Sequence, residues 1–600
     1  MSKILDWLDD RTGYRALVHG ALYERIPGGA RWRYVWGSTL SFAIFVQFVT
    51  GVVLWAAYSA NAQGAWESVY FIQNQMVGGW ILRGIHHFMA QATIVLLVLH
   101  LMQVMIDGAY RAPREVNFWF GLLLLFLVLG LSLTGYLLPW DQKGYWATKV
   151  ATSIASITPV IGPSLQQLLI GGAEYGHLTL TRFFALHAGV LPAAVVLLIV
   201  GHVYLFRRHG VTVPEGAAEA RPEGNFWPDQ ILKDGVACLI VMATVLGLVL
   251  WTGGAHLGAP ADPTEPYSAA RPEWYFLFLF QWLKYFPSGW EVVGAHMLPG
   301  AVVGLIAAMP IIGRWRLGHR FNVGVMVALI AGVGMLTWIA RADDARDQTF
   351  LEAKQEAEVL AERVAELAAS PSGIPPEGGL ALLRSDPLTQ GPKIFEAQCS
   401  SCHRFNGHDG LGGTPADDAS ASDLAGYGSR EWLSGLLDAD RVATDEYFGA
   451  TEHARGRMVR FVQRGLTQLD EDGRADLEKV ILAVSAQAEL PGQAAMDAAD
   501  AGQIEEGRAL IASEAINCVR CHAFEEGSES DDAPVLTGWA SRAWMIGMVH
   551  DPTQEPYYRD DNDRMPSFGV EGILSPMEIE LVVDWLRGDW YRADGSPEAP

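Results

Sequence analysis

The sequence predicts a mainly α-helical chain in two parts, a bundle of seven membrane-spanning helices followed by an acidic, water-soluble region. Residues 341–600 contain 49 Asp and Glu against 22 Lys and Arg, a formal charge of −27, whereas residues 1–340 contain 18 and 21, a charge of +3. A membrane part is therefore followed by a soluble part. Apolar runs long enough to cross a hydrocarbon layer of about 30 Å lie near residues 34–58, 80–106, 116–138, 180–206, 232–252, 292–313 and 322–340.

Basic residues indicate how these spans are oriented. They are concentrated before span 1 and after spans 2, 4 and 6, which by the positive-inside rule places the N-terminus in the cytoplasm. Because the number of spans is odd, residues 341–600 are expected on the opposite side from the N-terminus, the periplasmic side of a bacterial inner membrane. The polar start MSKILDWLDDRTGY contains no cleavable signal peptide, so span 1 is expected to act as the insertion signal. The basic residues are Arg11, Arg15, Arg25, Arg31, Arg33, Arg111, Arg114, Arg207, Arg208, Arg221, Arg314, Arg316 and Arg320.

Four histidines in two of the apolar runs form two evenly spaced pairs. His86 and His100 have an i, i+14 spacing, and His187 and His202 have an i, i+15 spacing. Each pair covers about 21–23 Å of helix, and both steps keep the two side chains within roughly 60° of one helix face. Two such helices facing each other predict two non-covalent b haems, each bound by two histidines. A single intramembrane histidine often only hydrogen-bonds a neighbour, but four at matched spacing are costly unless they bind something.

Four glycines repeat this spacing. Gly37 and Gly51 in span 1, and Gly121 and Gly135 in span 3, form two further pairs at i, i+14. A missing side chain lets a flat macrocycle approach the backbone, so these helices are predicted to form walls of the haem pockets. Intramembrane glycines also serve as helix-packing contacts, but the agreement with the histidine spacing favours the haem interpretation.

Two CxxCH motifs lie in the acidic region. Cys399 and Cys402 precede His403, and Cys518 and Cys521 precede His522. This pattern is typical of covalent attachment of c haem, with the histidine as an axial ligand. A zinc site would need a further set of Cys or His residues at short spacing, and no such set follows. The fifth cysteine, Cys238, lies in span 5 and is expected to be an ordinary buried thiol.

The acidic region is also duplicated. The stretch GYGSREWL at residues 426–433 recurs as GWASRAWM at 538–545, downstream of each CxxCH motif. This predicts two small class I-like cytochrome c domains. Met458 and Met565 are the expected distal ligands of their haems, whereas Met545 aligns with Leu433 and is expected in the core. The alternative distal ligands are His408, His453 and His550.

At the membrane histidines and three further stretches the chain resembles cytochrome b of the Rieske/cytochrome b complexes, which oxidise quinols and reduce c-type cytochromes or plastocyanin. The resemblance covers residues 1–340 and is closest to the photosynthetic bf branch, in which helix 4 also has the i, i+15 histidine spacing. One departure is that the bf branch attaches an extra haem to a cysteine near helix 1, whereas Tyr34-Val35-Trp36-Gly37 has no thiol, so that haem is expected to be absent. The matching stretches are RGIHHFMAQATIVLLVLH, APREVNFWFG, TGYLLPWDQKGYWATKV and TRFFALHAGVLP.

The resemblance implies a role for each matching residue. His86 and His187 would hold the outer b haem, His100 and His202 the inner one, and Arg83 and Arg182 would neutralise haem propionates. Pro272-Glu273-Trp274-Tyr275 matches the quinol-oxidation signature, in which the carboxylate accepts a proton, although Glu273 could instead be an interfacial cap. The wall facing it would be Tyr136, Leu138, Pro139, Trp140 and Lys149. The expected contacts of an inner quinone are His209, Lys233 and Asp234, which membrane anchoring or end-capping explains almost as well.

The sequence therefore predicts the cytochrome b/c subunit of a proton-translocating quinol:cytochrome c oxidoreductase. Its cofactors would be two b haems, two c haems and quinone. A Rieske iron–sulfur protein, a soluble cytochrome c or similar carrier, the quinol pool with its lipids, and a second copy of the chain are the expected partners, and no nucleic acid is expected. The alternatives are a cytochrome b anchor for a dehydrogenase, a tethered di-haem peroxidase, and a structural or redox-sensing receptor.

The predicted domain organisation follows from these assignments. The four-helix core occupies residues 1–210 and a three-helix part with the quinol site occupies 211–341. A linker follows at 342–380, with a charged helix over 343–370 that the prolines at 371–376 end. Cytochrome c domains are predicted at 381–490 and 491–600.

Overall fold

The computed structural model describes residues 2–213, 223–416, 419–525, 533–562 and 564–595. The chain forms two compact units. The first comprises Met1–Ala365 and Pro376–Leu380, and the second comprises Glu366–Pro375 and Ala381–Pro600. Residues 214–222, which include the basic residue Arg221, lie outside the described residues.

Among its described residues, the first unit has seven helices that are long and apolar enough to cross a membrane, which confirms the predicted number. Each lies close to one of the predicted apolar runs. Span 4 extends three residues beyond the prediction at each end, span 5 begins six residues earlier, and span 7 extends four residues at each end. The seven spans are, in order, Trp32–Trp55, Gly79–Ile106, Glu115–Tyr136, His177–His209, Phe226–Thr252, Val293–Ile312 and Gly318–Asp344.

Spans 1 to 4 form the core of the bundle. Span 1 packs along span 2, and span 3 packs along span 4, while span 5 covers spans 1 and 2. The loops after spans 1, 3 and 5 meet at one end, where the indole nitrogen of Trp66 donates to the carbonyl of Gly258 and Ala261 N–H donates to the carbonyl of Trp140. This end is called the Glu273 side, and the opposite end the N-terminal side. The N-terminal side carries the helices Ser2–Thr12 and Tyr14–Leu22 and an antiparallel pair of short strands, Arg25–Ile26 and Gly224–Asn225.

Spans 4 and 6 each contain one π-helical turn, at Ala185–Val190 and Val293–Met297. Each turn lies immediately before a Leu-Pro pair, Leu191-Pro192 and Leu298-Pro299. Proline has no N–H to donate to the carbonyl four residues earlier, so the ladder widens there. In span 4 the widened turn contains His187.

Short helices on the Glu273 side position the loops. Ala65–Asn74 follows span 1, Gln142–Ser156 and Gly162–Ile170 follow span 3, and Trp274–Phe276 and Leu277–Leu283 follow span 5. Asp141 joins two of these loops, because its carboxylate accepts from the N–H of Gly144 at 2.8 Å and of Gly258 at 3.2 Å. The loop after span 5 is therefore held against the loop after span 3.

The charged helix of the linker begins later than predicted. Span 7 continues to Asp344, and the next helix is Gln348–Ala368. Asp344 pairs with Arg271 at 2.9 Å, which fixes the end of span 7, and Asp347 caps the new helix by accepting from the N–H of Phe350 at 3.2 Å. Asp343 and Asp344 thus belong to the membrane helix and not to the linker helix.

The second unit is a helical assembly whose main hydrophobic core draws on both predicted halves, with a smaller cluster around Val462 beside it. The duplicated stretches fold alike: the hydroxyl of Ser429 accepts from Trp432 N–H at 3.1 Å, and that of Ser541 accepts from Trp544 N–H at 3.3 Å. Met545 is buried, as expected. The helices are Gly379–Arg384, which begins in the first unit, then Pro387–Gln398, Arg430–Leu436, Arg457–Arg460, Glu471–Ala486, Ala494–Ala499, Ala501–Leu510, Arg542–His550 and Pro576–Leu586.

Candidate haem and quinone sites

The four membrane histidines meet in the two pairs that the resemblance implied. The ring centres of His86 and His187 are 6.4 Å apart, and those of His100 and His202 are also 6.4 Å apart. A metal–imidazole bond of about 2.0–2.1 Å, plus about 1.1 Å from each nitrogen to its ring centre, predicts a separation of about 6.3 Å across one bound metal ion. Both pairs therefore have the separation that a haem iron between them would require.

The second ring nitrogens show which tautomer is present. The Nδ1 atoms of His187 and His202 lie 3.0 Å from the carbonyl oxygens of Leu131 and Asn117, and a carbonyl can only accept. His86 Nδ1 lies 2.8 Å from the hydroxyl of Thr50, which donates its own hydrogen to the carbonyl of Val46. In all three histidines Nδ1 carries the proton and Nε2 keeps the lone pair that an iron needs.

Two threonines that support these rings were missed at the sequence level. Thr50 contacts His86, and the hydroxyl of Thr134 lies 3.2 Å from Nδ1 of His187. The sequence contained one signal for them. Each of the two glycines on the Glu273 side directly follows a threonine, in Thr50-Gly51 and Thr134-Gly135.

Each predicted glycine lies beside one histidine ring. A Cβ on Gly51 would be 3.3 Å from His86, and one on Gly37 would be 3.5 Å from His100. The corresponding separations are 3.3 Å from Gly121 to His202 and 2.5 Å from Gly135 to His187. The absent side chains thus make room for the imidazoles, and the tightest contact is at Gly135.

Gly135→Ala is expected to lose the b haem of the Glu273-side pair, because the new methyl group must displace the ring of His187. Gly130→Ala is the matched control on the same span, since its Cβ would meet Leu191 at an ordinary 3.7 Å. The measurement is the b-haem content of purified protein, expected to fall by half in the first variant only. Full haem content in Gly135→Ala would contradict the assigned role of this glycine.

Glu273 forms an ion pair with Lys143, with 3.1 Å between Oε1 and Nζ. The Glu273 side chain is 17% exposed and that of Lys143 is 43% exposed, so the carboxylate lies inside while its partner reaches the edge of the site. The Lys143 ammonium also lies 5.4 Å from the ring centre of Tyr136, whose hydroxyl donates to the carbonyl of Arg271. Tyr136 thus faces the Glu273 loop as the resemblance implied.

The lysine at this site is not the one expected. Lys149 lies over the ring of Trp146 at 4.3 Å, and the cation beside Glu273 is Lys143. Both lysines lie on the helix Gln142–Ser156. Lys143 is in its first turn and reaches the Glu273 loop, whereas Lys149 lies six residues farther along and contacts Trp146.

Trp274 and Tyr275 of the tetrapeptide contact the middle of span 2. The indole nitrogen of Trp274 donates to the side-chain oxygen of Gln91 at 3.3 Å, and the Gln91 amide nitrogen lies 2.8 Å from Nε2 of His87. Tyr275 packs against the cluster that contains Met89 and Ile94. Span 2 thus carries both a predicted haem ligand and the contacts of the Glu273 loop.

Arg83 and Arg182 lie on the Glu273 side, near His86 and His187. The Arg83 guanidinium donates to the carbonyls of Ala255 and His256, at 2.6 and 2.8 Å, and to Gln73 at 2.9 Å. Arg182 donates to the carbonyl of Leu168. Both cations are therefore held at the side of the bundle where the resemblance places haem propionates, and that role remains a prediction.

Each residue of the predicted inner quinone site has a hydrogen-bond partner outside the set. Asp234 is buried and accepts from the side chain of Gln230 at 2.8 Å. Lys233 donates back to the carbonyl of Asp229, and His209 ends span 4, where its carbonyl accepts from Arg114. Asp234 is the buried polar group of the set, and its quinone contact stays a prediction, as do those of His209 and Lys233.

The two CxxCH motifs have a common local geometry. His403 Nδ1 lies 2.9 Å from the carbonyl of Ser422, and His522 Nδ1 lies 2.7 Å from the carbonyl of Pro534, so both histidines present Nε2. Burial lowers the pKa of both imidazoles, which keeps them neutral and able to bind a metal. Burial also raises the pKa of the Cys399 and Cys518 thiols to about 12 and about 11. These are not the low-pKa thiols of a redox-active CxxC pair.

Met458 and Met565 are both half-buried, Met565 against the core that also contacts Cys399 and Cys518, and Met458 against a separate cluster around Val462. Of the alternative distal ligands, His408 Nδ1 accepts from the N–H of Gly410 at 3.0 Å, and His453 lies against Tyr558. Within the described ranges, no group of three His, Cys, Asp or Glu side chains could hold a metal ion alone.

Known proteins resemble the first unit. Residues 91–261 match the family model described as cytochrome b(N-terminal)/b6/petB. The chain is 39% identical over 222 residues to the menaquinol:cytochrome c reductase cytochrome b subunit of Geobacillus thermodenitrificans, covering 36% of this chain and 99% of that protein. It is 31% identical over 347 residues to cytochrome b of Rhodobacter capsulatus, covering 56% and 76%. Cytochrome b6 of Synechococcus sp. (strain JA-3-3Ab) is 37% identical over 214 residues, covering 36% and 100%.

Proposed function

The chain belongs to the cytochrome b family and is a multi-pass membrane protein, and we propose that it is the cytochrome b subunit of a quinol:cytochrome c oxidoreductase of the bc/b6f type, with its own di-haem cytochrome c region. The observation that carries this proposal is the position of Glu273, which lies with Lys143 and Tyr136 at the same end of the bundle as the His86–His187 pair. The proposed proton acceptor, Glu273, and the expected electron acceptor, the haem of the His86–His187 pair, therefore lie at the same end of the bundle.

Quinol oxidation releases two electrons and two protons, so the site needs a base as well as electron acceptors. Glu273 is partly buried and paired with Lys143, and its carboxylate can take a proton from a quinol hydroxyl. Protonation weakens the ion pair with Lys143, which frees the carboxyl group to turn toward the aqueous edge of the site. Tyr136 and Tyr275 are expected to line the space in which the quinol ring binds.

The two histidine pairs would hold b haems, whose iron accepts and donates single electrons when bound. The Thr50 and Leu131 contacts fix the tautomer and orientation of His86 and His187, and the Asn117 carbonyl does the same for His202. The space for the four imidazole rings is kept open by the glycines beside them, Gly37, Gly51, Gly121 and Gly135. One electron of each quinol would thus cross from the Glu273 side toward Asp234, where the crossing electrons of two quinols, together with two protons, would reduce one quinone.

The CxxCH motifs would attach c haems through Cys399, Cys402, Cys518 and Cys521, with His403 and His522 as axial ligands and Met458 and Met565 as the distal ligands. In this arrangement a separate Rieske iron–sulfur protein takes the other electron of quinol and delivers it to the c haems. We propose a homodimeric complex in a bacterial inner membrane, with the Glu273 side and the c haems periplasmic. Proton release there and uptake at the cytoplasmic face would translocate protons.

The test is quinol-dependent reduction of a basic soluble cytochrome c by the purified complex, with haem extraction to count two b and two c haems. Because residues 341–600 carry a formal charge of −27, the rate with the basic cytochrome is expected to fall as ionic strength rises. An acidic cytochrome of the same potential is the matched control and should react slowly at low salt. Absence of quinol oxidation with all four haems present would leave a dehydrogenase anchor, a tethered peroxidase or a redox-sensing receptor as the function.

A further inference from the structure

The second unit pairs its helices across the predicted domain boundary at residues 490 and 491. The helix before the first CxxCH, Pro387–Gln398, packs against the last helix, Pro576–Leu586. The last helix of the first half, Glu471–Ala486, packs against the helix that precedes the second CxxCH, Ala501–Leu510. Each CxxCH motif therefore follows a helix whose packing partner belongs to the other half.

The first of these contacts centres on Trp585. Gly391 approaches it so closely that a Cβ on Gly391 would overlap the tryptophan side chain. The ring of Phe395, which is fully buried, lies 5.5 Å from that of Trp585. Phe405, two residues after His403, stacks on Trp585 with 4.3 Å between ring centres and 29° between planes. Trp585 thus contacts the chain both before and after the first CxxCH.

The second contact repeats this arrangement with the halves exchanged. A Cβ on Gly507 would overlap the carbonyl oxygen of Lys479 and come within 2.9 Å of Ala483. Ala483 is completely buried, and the Lys479 ammonium pairs with Glu506 at 2.8 Å. In both contacts a glycine lets the helix before a CxxCH cross close to the helix that ends the opposite half.

The connection between the halves is itself fixed by hydrogen bonds. Arg587, only 3% exposed, donates to the carbonyls of Ala488, Glu489 and Ala540, at 2.8, 3.0 and 2.7 Å. Gln487 accepts from the N–H of Gly538 at 2.9 Å. Because a buried guanidinium needs hydrogen-bond acceptors, the connection at 488–489 is held in the position that lets each half pack on a helix of the other.

We infer that each CxxCH motif is supported by the opposite half, so that Trp585 is a positioning residue for the c haem attached at Cys399 and Cys402. This inference rests on the proposed attachment of haem at both motifs. Loss of the indole would remove the common packing partner of Phe395 and Phe405, and the segment that carries His403 would be less firmly positioned, with the Ser422 contact remaining. Axial-ligand geometry and burial set the potential of a haem, so the effect should appear there.

The experiment uses the full-length chain with one c haem removed at a time. Cys518→Ser/Cys521→Ser leaves the first c haem, and Cys399→Ser/Cys402→Ser leaves the second. Trp585→Phe and Trp585→Ala are introduced into each background, and the midpoint potential and low-spin spectrum of the remaining c haem are measured. Trp544→Phe is the matched control, because Trp544 is also buried in the second half but packs against Trp539 and Tyr557.

The expected result is a shifted potential, or loss of the low-spin spectrum, when only the first haem is present, with little change when only the second is present. Trp544→Phe should leave the first haem unchanged. Trp585→Phe keeps an aromatic ring and guards against simple unfolding. An equal effect in both backgrounds, or a larger one on the second haem, would overturn the inference. Failure of the proposed haem attachment is a separate outcome, visible as no covalent haem in the unsubstituted chain.

Discussion

Replacing Glu273 with glutamine is expected to lower the rate of quinol oxidation by about 10²- to 10⁴-fold, the usual contribution of a general base. Glutamine keeps the size and hydrogen-bonding capacity of the side chain but cannot accept a proton. The substitution also removes the ion-pair partner of Lys143. The lysine side chain is half-exposed, so its ammonium group can be solvated. The b haems should remain bound, because Glu273 contacts none of the four histidines in the described structure.

The measurement is steady-state quinol oxidation together with b-haem content, so that a loss of rate can be separated from a loss of cofactor. Glu291→Gln is the matched control, since this exposed carboxylate lies before span 6 and accepts from the backbone of its own loop at Gly289. Undiminished turnover in Glu273→Gln would remove this residue from the mechanism and with it the position assigned to the quinol.

Periodic features of the membrane part could be predicted from sequence because each is local. Seven apolar runs predicted seven spans, and the regular spacing within each histidine pair predicted which faces of spans 2 and 4 carry histidines. A helix has a fixed rise and rotation per residue, so residues on one face are known without the rest of the fold. The same local geometry predicted that Gly37, Gly51, Gly121 and Gly135 would approach the haem region.

Contacts between distant segments could not be predicted in this way. Lys143 and Glu273 are separated by 130 residues, and a sequence spacing of that size does not distinguish Lys143 from Lys149. The end of span 7 depended on the ion pair between Arg271 and Asp344, which a hydropathy profile does not contain. In the duplicated region the helix before each CxxCH could pack on either of two similar helices. The choice is made by close contacts such as Gly391 with Trp585.

Substituting the histidines in pairs is expected to separate the two b haems. His86→Leu or His187→Leu should each remove one b haem, and the double variant His86→Leu/His187→Leu should also remove only one, because both ligands serve the same iron. The double variant His86→Leu/His202→Leu should remove both. This pattern follows from the ring-centre separations of 6.4 Å within each pair.

Loss of either haem is expected to stop electron transfer across the bundle, since the two sites would act in series. The decisive measurement is b-haem content, from extracted haem and the reduced-minus-oxidised spectrum of membranes expressing equal amounts of protein. His87→Leu is the matched control on span 2, because His87 lies next to His86 but hydrogen-bonds Gln91 instead of facing span 4. Leucine has nearly the volume of imidazole, so a packing defect alone should not mimic the pattern. If His86→Leu/His187→Leu removed two haems and His86→Leu/His202→Leu only one, the assigned pairing of the histidines would be wrong, and the route of electrons through spans 2 and 4 would have to be reassigned.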